Sequence, residues 1–230
     1  MMLQQLHERL LSWATTAPRD QDLLRAKREH FERYGEPHEE DRSYEVRLNG
    51  MLDAYLYDFR PAGGLGTTLE RFLDAEAPSL APDELAAYRA LAENVHGLFE
   101  VRKIKEGRLR LRDVFSGRDH DVTERRQVAG LEKDDLLEAR LLPFEGALLF
   151  SGAFLYHPRE ARKMILSEVK RTKKATPKGT ELDVKPFLAR ISRMALKMER
   201  YRNVRLESIY DFSPEARTWT PRPPAVKGGG

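Results

Sequence analysis

The spacing of the hydrophobic residues changes twice along this chain, near Leu98 and again near Pro158. Before Leu98, apolar residues recur at the spacing of one face of an α-helix. From Leu98 onward they alternate with polar residues, which is typical of β-strands. After Pro158 the helical spacing returns. We therefore predict an α+β protein in which one central group of strands is flanked by helices.

Five strands are expected in the central region, near residues 98–104, 108–115, 118–123, 135–142 and 147–155. The turns between them are short and most contain Gly, which favours a small antiparallel five-stranded β module or barrel. Around it we predict an N-terminal helical region and C-terminal basic helices. The predicted domain organisation is a helical region at 1–96, the β module at 97–157, a basic helical region at 158–212 and a disordered tail at 213–230.

The stretch "RLRLRDVFSGRDHDV" (108–122) tests this interpretation because it contains many charges and a histidine. In a strand, Leu109 and Leu111 point to one side, while the flanking arginines point to the other. The same alternation separates the two aspartates of the following "DHD" from its histidine. We therefore expect a solvated outer barrel face here, without a local metal or acid–base site.

The charge of the chain is divided unevenly. Residues 1–157 contain 22 Lys and Arg against 29 Asp and Glu, a net charge of −7, whereas residues 158–210 contain 15 against 6, a net charge of +9. The basic segment consists of a run in a predicted loop, which extends to Lys178, and a stripe on a predicted helix at 182–202. This split indicates a basic interaction surface, or a segment that the acidic front half neutralises. The candidate partner-binding residues are Lys170, Arg171, Lys173, Lys174, Arg190, Arg193, Lys197 and Arg200.

Motifs for catalysis or phosphate binding are weak. "GGLG" (63–66) precedes a predicted helix, but it lacks the lysine of a P-loop and the preceding strand, so we interpret it as a turn. Asp53, Asp58 and Glu70 are candidate paired carboxylates, yet no nucleophile or second base is spaced to work with them. Ser151-Gly152 lies in a predicted strand without a nucleophile-elbow pattern, which indicates a packing or bulge position.

The candidate metal ligands are three histidines that lie far apart in the sequence. His96, His120 and His157 would form a three-histidine zinc site if the fold brought them together, but histidines at the ends of elements are usually surface or capping groups. The sequence contains no cysteine, which excludes thiolate metal sites and disulfides. We predict no metal, no cofactor and no catalytic site, so the chain is not expected to be an enzyme.

Four stretches of the middle region carry a resemblance to a known family. They are "YLYDFRPAGGLGTTLERFL" (55–73), "GLFEVRKI" (97–104), "LRLRDVFSGRDHDV" (109–122) and "LLEARLLPFEGALLFSGA" (136–153). They resemble uncharacterised bacterial proteins with a helical region before a small β module, some of which carry a SEC-C zinc motif. This chain lacks the cysteines of that motif. The resemblance implies the α+β architecture and a bacterial cytoplasmic origin, and it implies no known activity.

The expected function is a non-enzymatic interaction or regulatory protein of the bacterial cytoplasm. It would dock an acidic protein partner through the basic C-terminal helical surface. The alternative is a nucleic-acid-binding protein that uses the basic segment and the small barrel. No apolar run approaches the roughly 18 residues of a membrane span, so we expect no span.

Overall fold

A computed structural model of the chain describes residues 2–61, 66–123, 130–177, 179–201 and 203–213. In these ranges the helices lie N-terminal and C-terminal to five strands, so the predicted α+β class is confirmed. The predicted disordered tail lies outside the described residues except for Ser213. Among the described helices, none has both the length and the apolar character needed to cross a membrane.

The N-terminal region forms a helical layer with its own core. Its helices are α1 (Leu3–Thr15), α2 (Asp20–Tyr34), α3 (Tyr44–Tyr57), α4 (Thr68–Glu76) and α5 (Pro82–Ala92). Two buried tyrosines join them, because the hydroxyl of Tyr55 donates to the Ala14 carbonyl at 2.8 Å and that of Tyr88 to the Leu6 carbonyl at 2.9 Å. We refer to this cluster as the N-terminal core. It includes Leu6, Leu10, Tyr55, Leu56, Leu69, Phe72, Tyr88, Leu91 and Leu142.

The five strands form a closed barrel. They are β1 (Val95–Lys105), β2 (Arg108–Asp113), β3 (Asp119–Thr123), β4 (Leu136–Phe144) and β5 (Ala147–Tyr156). Their order around the barrel is β1-β2-β3-β5-β4, with β4 paired to β1. The strands begin and end within a few residues of their predicted limits.

One pairing differs from the antiparallel arrangement that the short turns predicted. Strands β3 and β5 are parallel and pair at Val122 and Leu148. The physical reason is parity: strand directions cannot alternate around a closed ring with an odd number of strands. One parallel pair is therefore unavoidable in a closed five-stranded barrel, although every short turn joins antiparallel neighbours.

The alternation predicted for β2 is confirmed. Leu109 and Leu111 are buried, at 5 % and 0 % exposure, and they pack with the barrel interior. The arginines of the same strand face outward. Arg110 and Arg112 each make two hydrogen bonds across to β3, to Asp121 and Asp119 respectively, at 2.8 to 3.1 Å. The outer face of β2 and β3 is therefore a ladder of exposed ion pairs.

The C-terminal region contains α6 (Arg162–Ala175), α7 (Lys185–Arg200) and the short α8 (Leu206–Ile209). The predicted loop at 170–174 is wrong: these residues form the last turns of α6, which ends shortly before Pro177. Proline disfavours helical backbone in the residue before it, and Thr176 is extended, so the helix continues no further than Ala175. These helices pack on one side of the barrel around a second cluster, the C-terminal core. It includes Leu98, Leu136, Ile165, Val169, Leu188, Ile191, Met194 and Tyr210.

Candidate functional site

The basic stripe of α7 lies against other parts of the same molecule. Arg200 donates to both carboxylate oxygens of Asp41, at 2.9 and 2.6 Å, and to the Glu36 carbonyl at 2.8 Å. The hydrogen bond from Arg200 lowers the pKa of Asp41. Arg193 donates to the Glu32 carbonyl at 2.7 Å. These two arginines therefore fasten α7 to α2 and to the acidic segment that follows it.

The other two predicted residues of this helix also have contacts within the chain. Arg190 donates to the carbonyls of Asp211 and Ser213 at 3.2 and 3.3 Å, and its guanidinium lies over the Phe212 ring. Burial lowers the pKa of Lys197, and the charge of Arg193 lowers it further. The α7 stripe thus carries structural contacts along its length.

The predicted residues of α6 have a different environment. Lys170, Lys173 and Lys174 are exposed, and in the described part of the chain their ammonium groups form no ion pair or hydrogen bond. Lys163 is also exposed and lies two turns before Lys170 on the same helix face. We call Lys163, Lys170, Lys173 and Lys174 the lysine stripe. The neighbouring Arg171 pairs with Glu168 at 2.7 Å, and Lys178 lies outside the described residues.

A polar cleft lies where the barrel meets the helices, and the sequence did not predict it as a site. Strand β4 explains its position, because its outer face carries Leu136, Glu138, Arg140 and Leu142 in order. Leu136 belongs to the C-terminal core and Leu142 to the N-terminal core, so the charged pair lies at the seam between the two. The cleft has a volume of about 50 Å³. Its lining includes His30, Tyr34, Arg47, Asp53, His96, Glu138, Arg140, Phe154 and Ser192.

Arg140 is the most deeply buried charge of this cleft, at 3 % exposure. Its guanidinium donates to the Asp58 carboxylate and to the Asn94 side-chain oxygen, and it lies over the Tyr57 ring. Lys185 approaches the other oxygen of Asp58 at 3.1 Å. Burial acts to raise the pKa of Asp58, but the lowering contributions of Arg140, His96 and Lys185 together outweigh it, and the pKa lies below its ordinary value. Asp58 is therefore a paired, ionised carboxylate.

Three polar atoms in the cleft wall have no hydrogen-bond partner among the residues that the structure describes. They are Oδ2 of Asp53, Oε2 of Glu138 and Nε of Arg140, and each belongs to a side chain that is at most 7 % exposed. The other carboxylate oxygen of Glu138 lies 3.1 Å from Nε2 of His96. Burial raises the pKa of Asp53, opposed by the charge of Arg140 and a hydrogen bond from Ser151. Buried polar groups in native proteins are rarely left unpaired, so these atoms mark the cleft as a candidate site.

Arg47 forms a rigid part of the cleft wall. Its Nε donates to the Ser43 hydroxyl at 2.8 Å, and its terminal nitrogens donate to the hydroxyl and carbonyl of Ser192 at 3.0 and 2.9 Å. Ser43 in turn donates to both oxygens of Glu199. These bonds join α3 to α7, so the N-terminal helices, the barrel and the C-terminal helices all contribute to the cleft.

His30 and Tyr34 form an aromatic part of the wall. Their rings are stacked, with centroids 4.4 Å apart and planes within 1°. Burial lowers the pKa of His30 to about 4, with a further contribution from His96. The imidazole of His30 is therefore neutral near pH 7, and this wall adds flat, uncharged surface to a cleft whose other groups are carboxylates and guanidinium ions.

The three histidines considered for zinc lie apart. His96 is in the cleft beside Glu138, whereas the ring of His120 packs edge-on against Phe99 of β1. His157 is buried against Tyr210, and burial lowers its pKa to about 3. Within the described ranges no three His, Asp or Glu side chains are arranged to hold a metal ion.

The remaining sequence candidates have structural roles where they are described. Glu70 forms a capping box with Thr67 at the start of α4, with bonds of 2.6 and 3.2 Å. The pairing register of β4 and β5 shifts opposite residues 151–153, and a side chain at Gly152 would crowd Asn49 of α3 at 3.1 Å. This agrees with the predicted packing or bulge position. Of the predicted "GGLG" turn, only Gly66 lies within the described residues.

Asp53, Asp58 and His96 are among the candidates that the sequence suggests, whereas Glu138 and Arg140 are not. The signal was present in "LLEARLLPF", where two charged residues interrupt an otherwise apolar strand. Because they are two positions apart, they lie on the same face of the strand. The residues before and after this pair are apolar without alternation, which is typical of a strand whose two faces are both buried. The sequence therefore predicts that the two charged side chains are buried as well.

The comparisons with known proteins give one match. A family model described as a family of unknown function, DUF7986, matches residues 2–189. No curated protein and no solved structure matches the chain.

Proposed function

We propose that this chain, which belongs to the DUF7986 family, is a non-enzymatic binding protein that docks an acidic protein partner through the lysine stripe of α6. The observation that supports the proposal is the division of the predicted basic residues into two groups. The α7 residues contact the chain itself, while Lys170, Lys173 and Lys174 are exposed and have no partner in the described residues. The proposed location is the bacterial cytoplasm. The relationship to SEC-C-associated proteins also stays a prediction.

Charge and position make the lysine stripe suitable for docking. Four ammonium groups lie along one face of a helix whose opposite face packs into the C-terminal core. The helix is thereby fixed, so the lysines are presented on a rigid element. Exposed charges of one sign steer an oppositely charged protein and accelerate its association, an effect that salt weakens.

Capture experiments with charge-reversed variants test this proposal. The triple variant K170E/K173E/K174E reverses three of the four charges of the stripe and leaves Lys163 in place. The matched control K27E/R28E/R89E makes the same change in net charge on exposed residues of α2 and α5. Wild type and control should retain the same acidic protein from a host lysate at low salt, and the stripe variant should lose it. Equal losses in both variants, or no protein specific to the wild type, would reject the proposal.

A nucleic-acid partner is the second candidate, and one observation favours it. The five strands close a Greek-key barrel, an architecture that oligonucleotide-binding folds use with an exposed strand face. On that face, however, Arg110 and Arg112 are paired with aspartates. Other exposed cations near it, among the described residues, include Lys103, Lys105, Arg108 and Arg118.

Binding to a generic duplex and a single strand separates the two candidates. A nucleic-acid function requires an affinity that falls steeply with salt, by about one unit of log–log slope per phosphate contact. It also requires weaker binding by K103E/K105E/R108E. For an acidic protein partner, generic nucleic acid should bind weakly at physiological salt, and salt should act mainly on the association rate.

A further inference from the structure

We propose that the polar cleft at the seam of the two cores binds a small zwitterionic amino acid. Its ammonium group would lie between Asp53 and Glu138, and its carboxylate would accept a hydrogen bond from Nε of Arg140. This site is separate from the lysine stripe, and none of the stripe residues lines the cleft.

The first support is the concentration of unpaired, buried polar atoms in one place. Asp53, Glu138 and Arg140 are 7 %, 7 % and 3 % exposed, and all three line the same cavity. Each has one atom without a hydrogen bond to any described residue, although its other polar atoms have partners. A buried polar atom without a hydrogen bond is costly in free energy, so three of them around one cavity point to a ligand that supplies the missing bonds.

The arrangement of Arg140 shows that these carboxylates are not simply one half of internal ion pairs. Arg140 and Glu138 lie on the same face of β4, two residues apart, where pairing would be easy. Arg140 instead donates to Asp58 and Asn94, and Glu138 keeps one free oxygen. Asp58 has both of its oxygens engaged, by Arg140 and Lys185. Asp58, just outside the cleft, is thus a satisfied carboxylate, whereas within the described residues Asp53 and Glu138 in the cleft wall form no ion pair with a lysine or arginine.

The chemical class of the ligand follows from the unpaired atoms. Two are carboxylate oxygens that accept hydrogen bonds, and one is a guanidinium N–H that donates. An ammonium group supplies three donors and a positive charge for the two carboxylates, and a carboxylate supplies an acceptor and a negative charge for Arg140. An amino acid carries both groups at close distance.

The size of the cavity limits what part of the ligand is enclosed. A volume of about 50 Å³ has room for a few water molecules or for the head group of an amino acid. His30, Tyr34 and Phe154 are half-buried in the wall, so they offer flat surface to a side chain that extends out of the cleft. The enclosed part is too small for a nucleotide.

Calorimetric titration with glycine, alanine, methylammonium and acetate tests the proposal on the full chain at neutral pH. Glycine and alanine should bind with millimolar or tighter dissociation constants. Methylammonium should bind more weakly, and acetate more weakly still. Acetate binding as tightly as glycine, or no binding of either amino acid, would overturn the proposal.

Two isosteric variants and two controls localise the binding. Glu138→Gln and Asp53→Asn each remove one proposed contact and should weaken glycine binding about tenfold or more. Glu100→Gln removes a similarly buried carboxylate that pairs with Arg102 and Arg162 outside the cleft, and it should leave binding unchanged. K170E/K173E/K174E should also bind glycine normally, so failure of the docking proposal would not affect this one. Unchanged affinity in both cleft variants would show that glycine binds elsewhere and reject the site.

Discussion

Strands β2 and β4 carry the same kind of pattern, charged residues that alternate with apolar ones, and the fold treats them in opposite ways. On β2 the arginines face water and pair with exposed aspartates of β3. On β4, Glu138 and Arg140 lie on the outer face of the barrel but are buried beneath helices. Alternation therefore determines which side of a strand a residue occupies. The elements packed on that side determine whether its charge is solvated or buried.

The two environments differ in what a charge contributes to stability. Exposed ion pairs gain little, because water and salt screen them and long side chains lose freedom. A buried charge loses its hydration and depends on its partners for compensation. Replacing single residues on β2 and β4 should therefore give unequal changes in unfolding free energy, and buried histidines outside these strands should add a dependence of stability on pH.

The largest effect is expected for Arg140→Met. The change removes the cation that pairs with Asp58 and leaves the carboxylates of the cleft with less compensation. Breaking a buried ion pair costs about 3–5 kcal/mol of unfolding free energy. Denaturant unfolding of the variant measures this loss.

A double variant serves as its control. In Asp58→Asn with Arg140→Met, no carboxylate at position 58 remains to be paired, so the combined loss should be smaller than the sum of the two single losses. Strictly additive losses would show that the two side chains do not stabilise each other, and that β4 resembles β2 after all.

The second effect concerns the inner face of β2. Leu111 is fully buried in the barrel interior, between two exposed arginines in the sequence. Leu111→Ala should cost about 2–5 kcal/mol, because the substitution removes buried methyl groups and leaves a cavity. Leu109→Ala should act in the same sense. A loss near zero for both, measured by denaturant unfolding, would contradict the register of β2.

The sequence predicts the local features of this fold well and the spatial neighbours poorly. The strand limits follow from spacing to within a few residues, as do the inward face of β2 and the helical character of the region before the barrel. The parallel pair of β3 and β5 follows only from barrel closure, which no local pattern contains. The cleft was missed for a similar reason: Asp53, His96 and Glu138 come from three elements far apart in the chain, and only the tertiary fold brings them together.

The third prediction is a dependence of stability on pH. The pKa of His157 is lowered to about 3 and that of His30 to about 4, mainly by burial. The unfolded chain, whose histidines have pKa values of about 6.5, therefore binds protons between pH 7 and 5 that the folded chain does not. Stability must fall as the pH is lowered through this window, by about 2 kcal/mol for each histidine.

Unfolding curves at pH 7 and pH 5 measure this slope. His157→Gln should remove about 2 kcal/mol of it and the double variant with His30→Gln about twice as much. The contribution of His7, whose pKa burial also lowers, should remain. A slope that does not change in either variant would show that these imidazoles are already solvated in the folded protein.

The smallest effect is expected for the outer face of β2. The triple variant R108S/R110S/R112S removes the exposed ladder but leaves the inward leucines in place. Asp119 and Asp121 lose their partners, yet both lie in water, which solvates them without a protein partner. The denaturation midpoint should stay close to that of the wild type, whereas the one residue Arg140 on β4 should shift it strongly. If the triple variant lost as much stability as Arg140→Met, the face of β2 would have to be covered in solution, by a partner or by another copy of the chain. The outer faces of β2 and β4 would then both be buried, and the two strands would differ only in what covers them.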